Sequence, residues 1–295
     1  MIHLPLFSVV IPTYNHAHLI GKCLDSLISQ TFTDWEAIVV NNFSSDSTIE
    51  VVESYADPRI HLINNSNDGI IAVSRNRGIA EARGEWICFL DSDDWWTPNK
   101  LEACLPYLND YDFLYHDMQI FEQNRGLQHN KFIRCRTPLH PYFENLLQWG
   151  NCCPNSSVVL RRSIIEKVGL LSEDKSLVAI EDFDYWLRVS KVTERFYHIN
   201  QVLGYYWIGE TSISANERQV LRHISLYNKH IKSIENVQLK SEILALQAYR
   251  NARAYAAYRN NSLARKEYKI AVKTTHFYTK CKATVFLLLN TFQNQ

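Results

Sequence analysis

Over residues 1–105, short apolar runs alternate with segments whose apolar positions recur every three or four residues. This is the pattern of strands interleaved with amphipathic helices. Phe7-Ser8-Val9-Val10-Ile11 is a strand-length run closed by Pro12, and similar runs follow at 36–40, 60–63 and 86–90. Between the first two, Leu19, Ile20, Cys23, Leu24, Leu27 and Ile28 fall on one helical stripe. Residues 47–55 and 73–81 read as two further helices. Strands without polar alternation are buried on both faces, and strand–helix–strand units favour right-handed crossovers. The pattern therefore predicts an α/β fold, with a mostly parallel central sheet flanked by helices.

Beyond residue 105 the pattern is less regular. It predicts a strand at 113–115, a helix at 141–149, a strand at 156–160 and a helix opening at Glu181 or Asp182. Thr97 and Pro98 read as the N-cap and first-turn proline of a helix over 98–108. Past Asn216 strong helix formers run to the end without proline or glycine. The expected division is an α/β domain over 1–215, in halves 1–105 and 106–215, followed by a helical region over 216–295.

In an open parallel sheet ligands bind beyond the carboxyl ends of the strands. Three polar clusters stand at such ends: Pro12-Thr13-Tyr14-Asn15, Asn41-Asn42 and Asp91-Ser92-Asp93-Asp94. Asp91 and Asp93 are two apart, so extended backbone places both carboxylates on one side. Close carboxylates repel and favour a cation between them. Oxygen-only ligands suit Mg²⁺ or Mn²⁺, which bind through one or two carboxylates and substrate phosphates. A purely helix-capping role for these acids conflicts with a cap already supplied by Thr97. Asp182 is open to two readings, since a first-turn acid is favoured by the helix macrodipole whether or not it does chemistry. Tyr14 could stack on a base or simply pack. Arg75 and Arg77 could meet phosphate oxygens or water.

Composition and charge then narrow the picture. The 295 residues are 46% hydrophobic and 21% charged, enough for a substantial core. No apolar stretch reaches the roughly 20 residues of a membrane-spanning helix. The seven cysteines show no CxxC pair or zinc spacing and read as reduced thiols of a cytosolic protein. The balanced net charge hides a split: residues 1–217 hold 17 Lys+Arg against 28 Asp+Glu, whereas 218–295 hold 14 against 3. Within 262–289, Arg265, Lys266, Lys269, Lys273, Lys280 and Lys282 are interleaved with Tyr268, Ile270, Val272, Phe277 and Val285–Leu289. Two readings stay open, a basic amphipathic surface for an anionic membrane at its inner face, or a cap on the acidic domain. No motif supports a nucleic-acid partner.

Taken in order, Val9–Asn15, Ser29-Gln30-Thr31, the segment 36–45, Ser74-Arg75-Asn76 with Gly78, Gly84-Glu85-Trp86 through Asp94, and Glu181-Asp182 with Trp186-Leu187-Arg188 resemble glycosyltransferase family 2. The match spans roughly residues 7–215. The resemblance implies the GT-A fold, with 1–105 as the nucleotide-binding half and 106–215 as the acceptor half. It implies an inverting, metal-dependent enzyme that moves a sugar from a nucleotide diphosphate, with UDP expected, to an acceptor hydroxyl. Such acceptors are glycans or lipid-linked oligosaccharides of bacterial surface polysaccharides. By position, Pro12, Thr13 and Tyr14 would border the base, Asn42 would read it, and Arg75 would meet the nucleotide's polar groups. Asp91 and Ser92 would lie near ribose and metal, Asp93 would bind Mn²⁺ or Mg²⁺, and Asp182 would be the general base.

The chain departs from the family twice. An acidic pair after the second strand is replaced by Asn41-Asn42, which can still accept a bond from uracil N3–H but without charge assistance. An Arg and a His near the domain's end are replaced by Trp207 and Gly209, ahead of Ser212-Ile213-Ser214. These losses leave room for a catalytically inactive sugar-nucleotide-binding protein, which retention of Asp93 and Asp182 argues against. A nucleotidyltransferase would need a Gly-rich basic loop where Pro12–His16 stands.

Overall fold

The computed structural model describes residues 4–209 and 217–292. Strands β1 (Phe7–Thr13), β2 (Trp35–Asn41), β3 (Ile60–Asn64) and β4 (Trp86–Phe89) alternate with helices α1 (Ala17–Ile28), α2 (Thr48–Glu53) and α3 (Ile71–Glu81). All four strands run parallel, with β1 between β2 and β4. Ile20, Cys23, Leu24 and Leu27 of α1 are fully buried against them. The helices press close to the sheet, and a Cβ on Gly78 of α3 would stand 2.5 Å from a Val10 methyl. Only glycine allows that approach.

The chain continues through β5 (Trp95–Trp96), α4 (Lys100–Cys104), β6 (Phe113–Glu122), β7 (Gly126–Ile133), α5 (Tyr142–Trp149), β8 (Val159–Arg161), α6 (Arg162–Val168), α7 (Glu181–Val189) and β9 (Phe196–Ile208). Among the described residues the sheet has nine strands, ordered β3-β2-β1-β4-β8-β6-β9-β5, with β7 on β6. The expectation of a mostly parallel sheet holds throughout the first half and, in the second, for the long pairing of β6 with β9. β8 runs antiparallel to both β4 and β6, β7 to β6 and β5 to β9, so the whole is mixed.

Two local expectations are corrected. β1 continues through Pro12 because β4 has ended by then: the β1–β4 register stops at Val10 opposite Phe89, so the missing proline N–H deprives no neighbour. The helix expected over 98–108 begins at Lys100 and gives way to a 3₁₀ turn, Leu105–Tyr107. Thr97 is not its cap. Its N–H bonds the Leu203 carbonyl at 3.0 Å, and its hydroxyl bonds Asn99 Oδ1 at 2.9 Å.

The chain divides into two compact units, 1–139 with 151–212, and 140–150 with 213–295. The second unit consists of α5 and helices α8 (Arg218–His230), α9 (Val237–Ala257), α10 (Asn261–Ala271) and α11 (Phe277–Phe292). Its core is made of small and aromatic side chains: Ala248, Ala252, Ala264, Ala271 and Ala283 around Tyr255 and Tyr268. On α11, Ala283 is buried and Phe286 packs on this core, while Phe277, Tyr278, Val285, Leu288 and Leu289 are exposed. No described helix is long and apolar enough to cross a membrane.

Candidate active site

The carboxyl ends of β1, β2 and β4 bring the three polar clusters to one edge. Beyond β1, the Asn15 N–H donates to Ser44 Oγ at 2.9 Å and Asn15 Oδ1 accepts from the Ser45 N–H at 2.8 Å. The loop after β1 is thereby tied to the loop after β2. Thr13 is buried, and its hydroxyl oxygen has no partner among the described residues; Tyr14 stands exposed beside it. Asn41 is fully buried and structural, its amide bonding Asn64 and Ser44. Asn42 is half-buried, and its Oδ1 accepts the Asn67 N–H at 2.9 Å, which leaves one lone pair and both amide protons outward.

The acidic cluster is a turn rather than extended backbone, closed by Asp94 N–H on the Asp91 carbonyl at 3.0 Å. The turn, not strand alternation, gathers the carboxylates. Asp91 is half-buried and accepts from Arg75 Nη2 at 2.7 Å and from Asn155 Nδ2 at 3.1 Å. Ser92 is buried, 2.8 Å from His16 Nδ1. Burial, then the Asp91 charge, pushes the Asp93 carboxyl up to about 7. Among the described residues no side chain of the protein donates to it. Asp94 is buried deeper and raised by burial and both neighbouring acids; Oδ1 accepts the Trp207 N–H at 2.9 Å and Oδ2 is unsatisfied.

An unpaired carboxylate beside two others, with an orphaned buried oxygen in the same turn, is the electrostatic signature of a place for a divalent cation. The donors are all oxygens, as Mg²⁺ and Mn²⁺ require. A second trio, Asp117, Cys135 and His198, holds metal-ligand atom types within 4.8 Å of one another. That carboxylate is already engaged, by Arg134 at 2.7 Å and by His198 and the Cys135 N–H at 2.8 Å each. An ion there would have to displace an ion pair.

Helix α7 delivers the last cluster. Arg75, on α3, is 3% exposed and joins Asp91 to Glu181, so the turn after β4 and the first turn of α7 meet on one guanidinium. Asp182 stands beside this pair, its Oδ1 accepting the Phe183 N–H at 2.7 Å and Oδ2 facing Asn151 Nδ2 at 3.4 Å. Burial and then the Glu181 charge push the Asp182 carboxyl up to about 6. A carboxyl tuned this way can take a proton near neutral pH. If Asp182 is the base, it must be ionised to act. We therefore predict that kcat/KM falls along a single-proton limb as pH drops through about 6. A pH–rate profile with no acid limb between 5 and 7 (roughly the range such a carboxyl titrates in) would remove the assignment.

Several groups around this cleft escape a reading by spacing. Tyr206, on β9, faces Asp94, Asp91, Asp93 and Asp182; burial and these acids raise its hydroxyl, which therefore stays protonated and able to donate. Asn155 holds Asp91, and its own Oδ1 has no partner. The Ser156 hydroxyl accepts the Asp91 N–H. The only signal in the sequence was their adjacency to β8 and to an unrecognised strand. Trp207 is buried, and its indole occupies the space over Gly209, where a Cβ would stand 1.8 Å from the ring. The replacements at 207 and 209 are thus coupled, since this tryptophan position excludes a side chain at 209. Ser212-Ile213-Ser214 lies outside the described residues.

Comparisons with known proteins bear on the family and the fold. The family model described as glycosyl transferase family 2 matches residues 8–169. Escherichia coli WfgD, a UDP-Glc:alpha-D-GlcNAc-diphosphoundecaprenol beta-1,3-glucosyltransferase, is 31% identical over 74% of this chain and 83% of its own. Bacillus subtilis TuaG, a putative teichuronic acid biosynthesis glycosyltransferase, is 30% identical over 72% of this chain and 83% of its own. Among solved structures, S. aureus TarS 1–349 in complex with UDP superposes with a TM-score of 0.66 at 19% identity, covering 96% of this chain and 88% of that one. Mannosyltransferase PcManGT of Pyrobaculum calidifontis, with GDP-Man and Mn²⁺, gives 0.57 at 17% identity over 99% and 88%. These two show a shared fold. With the family model covering more than half of its length, and an ordered set of motifs converging on one sheet edge, this chain belongs to glycosyl transferase family 2.

Proposed function

We propose that the chain is an inverting glycosyltransferase that moves a sugar from UDP to a hydroxyl of a glycan, carried on a lipid diphosphate, during assembly of a bacterial surface polysaccharide. The observation that carries this reading is Arg75 holding Asp91 and Glu181, which joins the turn bearing Asp93 to the first turn of α7, where Asp182 stands. The uridine donor rests on the amide oxygen that Asn42 retains for a base N–H and on relatives whose names specify UDP. Thr13 and Tyr14 border the base. Arg75, consumed by its two acids, acts as a positioning residue more than as a phosphate contact.

In the reaction Asp182 accepts the proton of the acceptor hydroxyl as that oxygen attacks the anomeric carbon, and the bond to the β-phosphate oxygen breaks. One displacement inverts the centre, so an α-linked donor gives a β-linked product. Asp93, with Asp91 nearby, would hold Mn²⁺ or Mg²⁺, which acts as Lewis acid and template for the diphosphate. The protonated Tyr206 hydroxyl is placed to donate to oxygen within the same cleft. Incubation with a panel of UDP-sugars, metal and a lipid-diphosphate-linked sugar tests the reading. UDP release that depends on the acceptor supports it, and no release from any donor would overturn it.

The exposed apolar residues of α11, with Lys280 and Lys282 beside them, suit peripheral contact with an anionic inner membrane face. We predict that the full chain floats with anionic liposomes and that Lys280→Glu with Lys282→Glu reduces the bound fraction several-fold. Each basic residue near such a surface is worth about 1 kcal/mol. Equal flotation of the charge-reversed chain would exclude this contact.

A further inference from the structure

Within the helical unit, α8 and α9 diverge to leave a cleft of about 260 Å³ lined in part by Tyr227, His223, Gln247, Arg250, Asn251 and Tyr258. The lining positions recur at helical spacing on both helices, on faces that closely packed helices would fill with apolar side chains. Here Val220 and Ala254 share the wall with amides, an imidazole, a guanidinium and phenol rings. None of the lining side chains is acidic.

Gln247 is the decisive residue. It is 6% exposed, lines the cleft and has no hydrogen-bond partner for its side-chain amide among the described residues. Its amide is open to the cleft rather than sealed from it, so it presents two N–H donors and a carbonyl acceptor to whatever fills the space. Neither ring nitrogen of His223 has a partner among the described residues. Burial and the Arg250 guanidinium push that imidazole down to about 4, so it presents one N–H and one bare nitrogen. Asn251 is buried, and its amide nitrogen makes only a long 3.4 Å contact, to Glu267.

Arg250 does not make this an anion site. Three of its five N–H donors are directed within the unit, to the Gln148 carbonyl at 3.0 Å, the Tyr227 hydroxyl at 2.7 Å and the Leu147 carbonyl at 3.4 Å. A single water occupies about 30 Å³ of liquid, so the cleft far exceeds one water. Uncharged donor–acceptor groups with phenol rings at the wall match a compact ligand that is hydroxyl-rich on its edge and C–H-rich on its faces.

We propose that this cleft binds a pyranose unit of a glycan, as a saccharide site built from the helical unit alone and distinct from the residues assigned to the donor. That the occupant belongs to the acceptor or product glycan rests on the transferase reading above; the binding itself does not.

The test is saturation-transfer NMR on the full chain with methyl β-glucopyranoside, methyl β-galactopyranoside and the methyl β-glycoside of N-acetylglucosamine, with UDP and magnesium added. The His223 ring resonances serve as a reporter of the site. The expected result is saturation of at least one glycoside together with a shift of the His223 signals, and a loss of affinity of about fivefold or more in Gln247→Leu. Silence from all three sugars would overturn the proposal, as would unchanged binding in the variant. So would a His223 response to inorganic phosphate but to no sugar. Should Gln247→Leu fail to fold, the wild-type His223 response decides alone. Because glycoside binding is read without turnover, failure of the donor assignment leaves this result interpretable.

Discussion

Asp182→Asn is expected to lower kcat by about 10³-fold, close to 4 kcal/mol of barrier, while leaving UDP binding within a factor of about two. The asymmetry follows from where the side chain points. Its Oδ1 receives only the Phe183 N–H and its Oδ2 the distant Asn151 amide, so no cation or nucleotide-positioning residue depends on it. An amide keeps the shape and loses only the capacity to accept a proton. Its cost should therefore fall on kcat and kcat/KM together, as for a group used only in the transition state. The variant should also lose the acid limb near pH 6, because the carboxyl assigned to that limb is gone. Calorimetry with UDP and metal, beside initial rates, checks both halves. Retained turnover removes Asp182 as the base, whereas loss of UDP binding would place it in the donor site.

How much of this was legible in the sequence divides along the sheet. Three of the four parallel strands declare themselves because they are buried on both faces: β1, β2 and β4 are buried at every position, whereas the edge strand β3 is half-buried. The second half hides for the opposite reason. β9 pairs with β6 on one side and with the two-residue β5 on the other, and its register against β6 shifts twice near Asp117. Burial along it follows neither a period of two nor a run, so Tyr206 and Trp207 could not be placed from pattern alone. Asp93 and Asp182 were identifiable as candidates by type and motif. What joins their segments is an arginine whose acidic partners lie 16 and 106 residues away. Nothing in local spacing encodes such a pairing, and Arg75 accordingly read as a nucleotide contact. The Thr97-Pro98 signal misled for a related reason, since β9 holds the Thr97 N–H through the Leu203 carbonyl and the hydroxyl turns to Asn99.

Asp93→Asn should act with opposite signs on activity and stability. Excess chelator is expected to abolish transfer, and manganese or magnesium to restore it in the wild type but not in the variant. The loss should be of order 10³-fold or more, because the cation supplies several kcal/mol at the leaving diphosphate. UDP affinity should fall too, which separates this variant from Asp182→Asn, since the ion bridges protein and phosphates. In metal-free protein the sign reverses. Asp93 is then a half-buried carboxylate beside Asp91 and Asp94, held up near 7 by desolvation and like charge. Removing its charge relieves that repulsion, so the variant should melt a few degrees higher than wild type in chelator at pH 8. Added manganese should raise the wild-type melting temperature by mass action and leave the variant where it was. A site retained at a cost to the empty fold is one kept for its ion. If chelated wild type and variant melted together, and both transferred sugar at full rate, the carboxylates after β4 would be serving the turn alone.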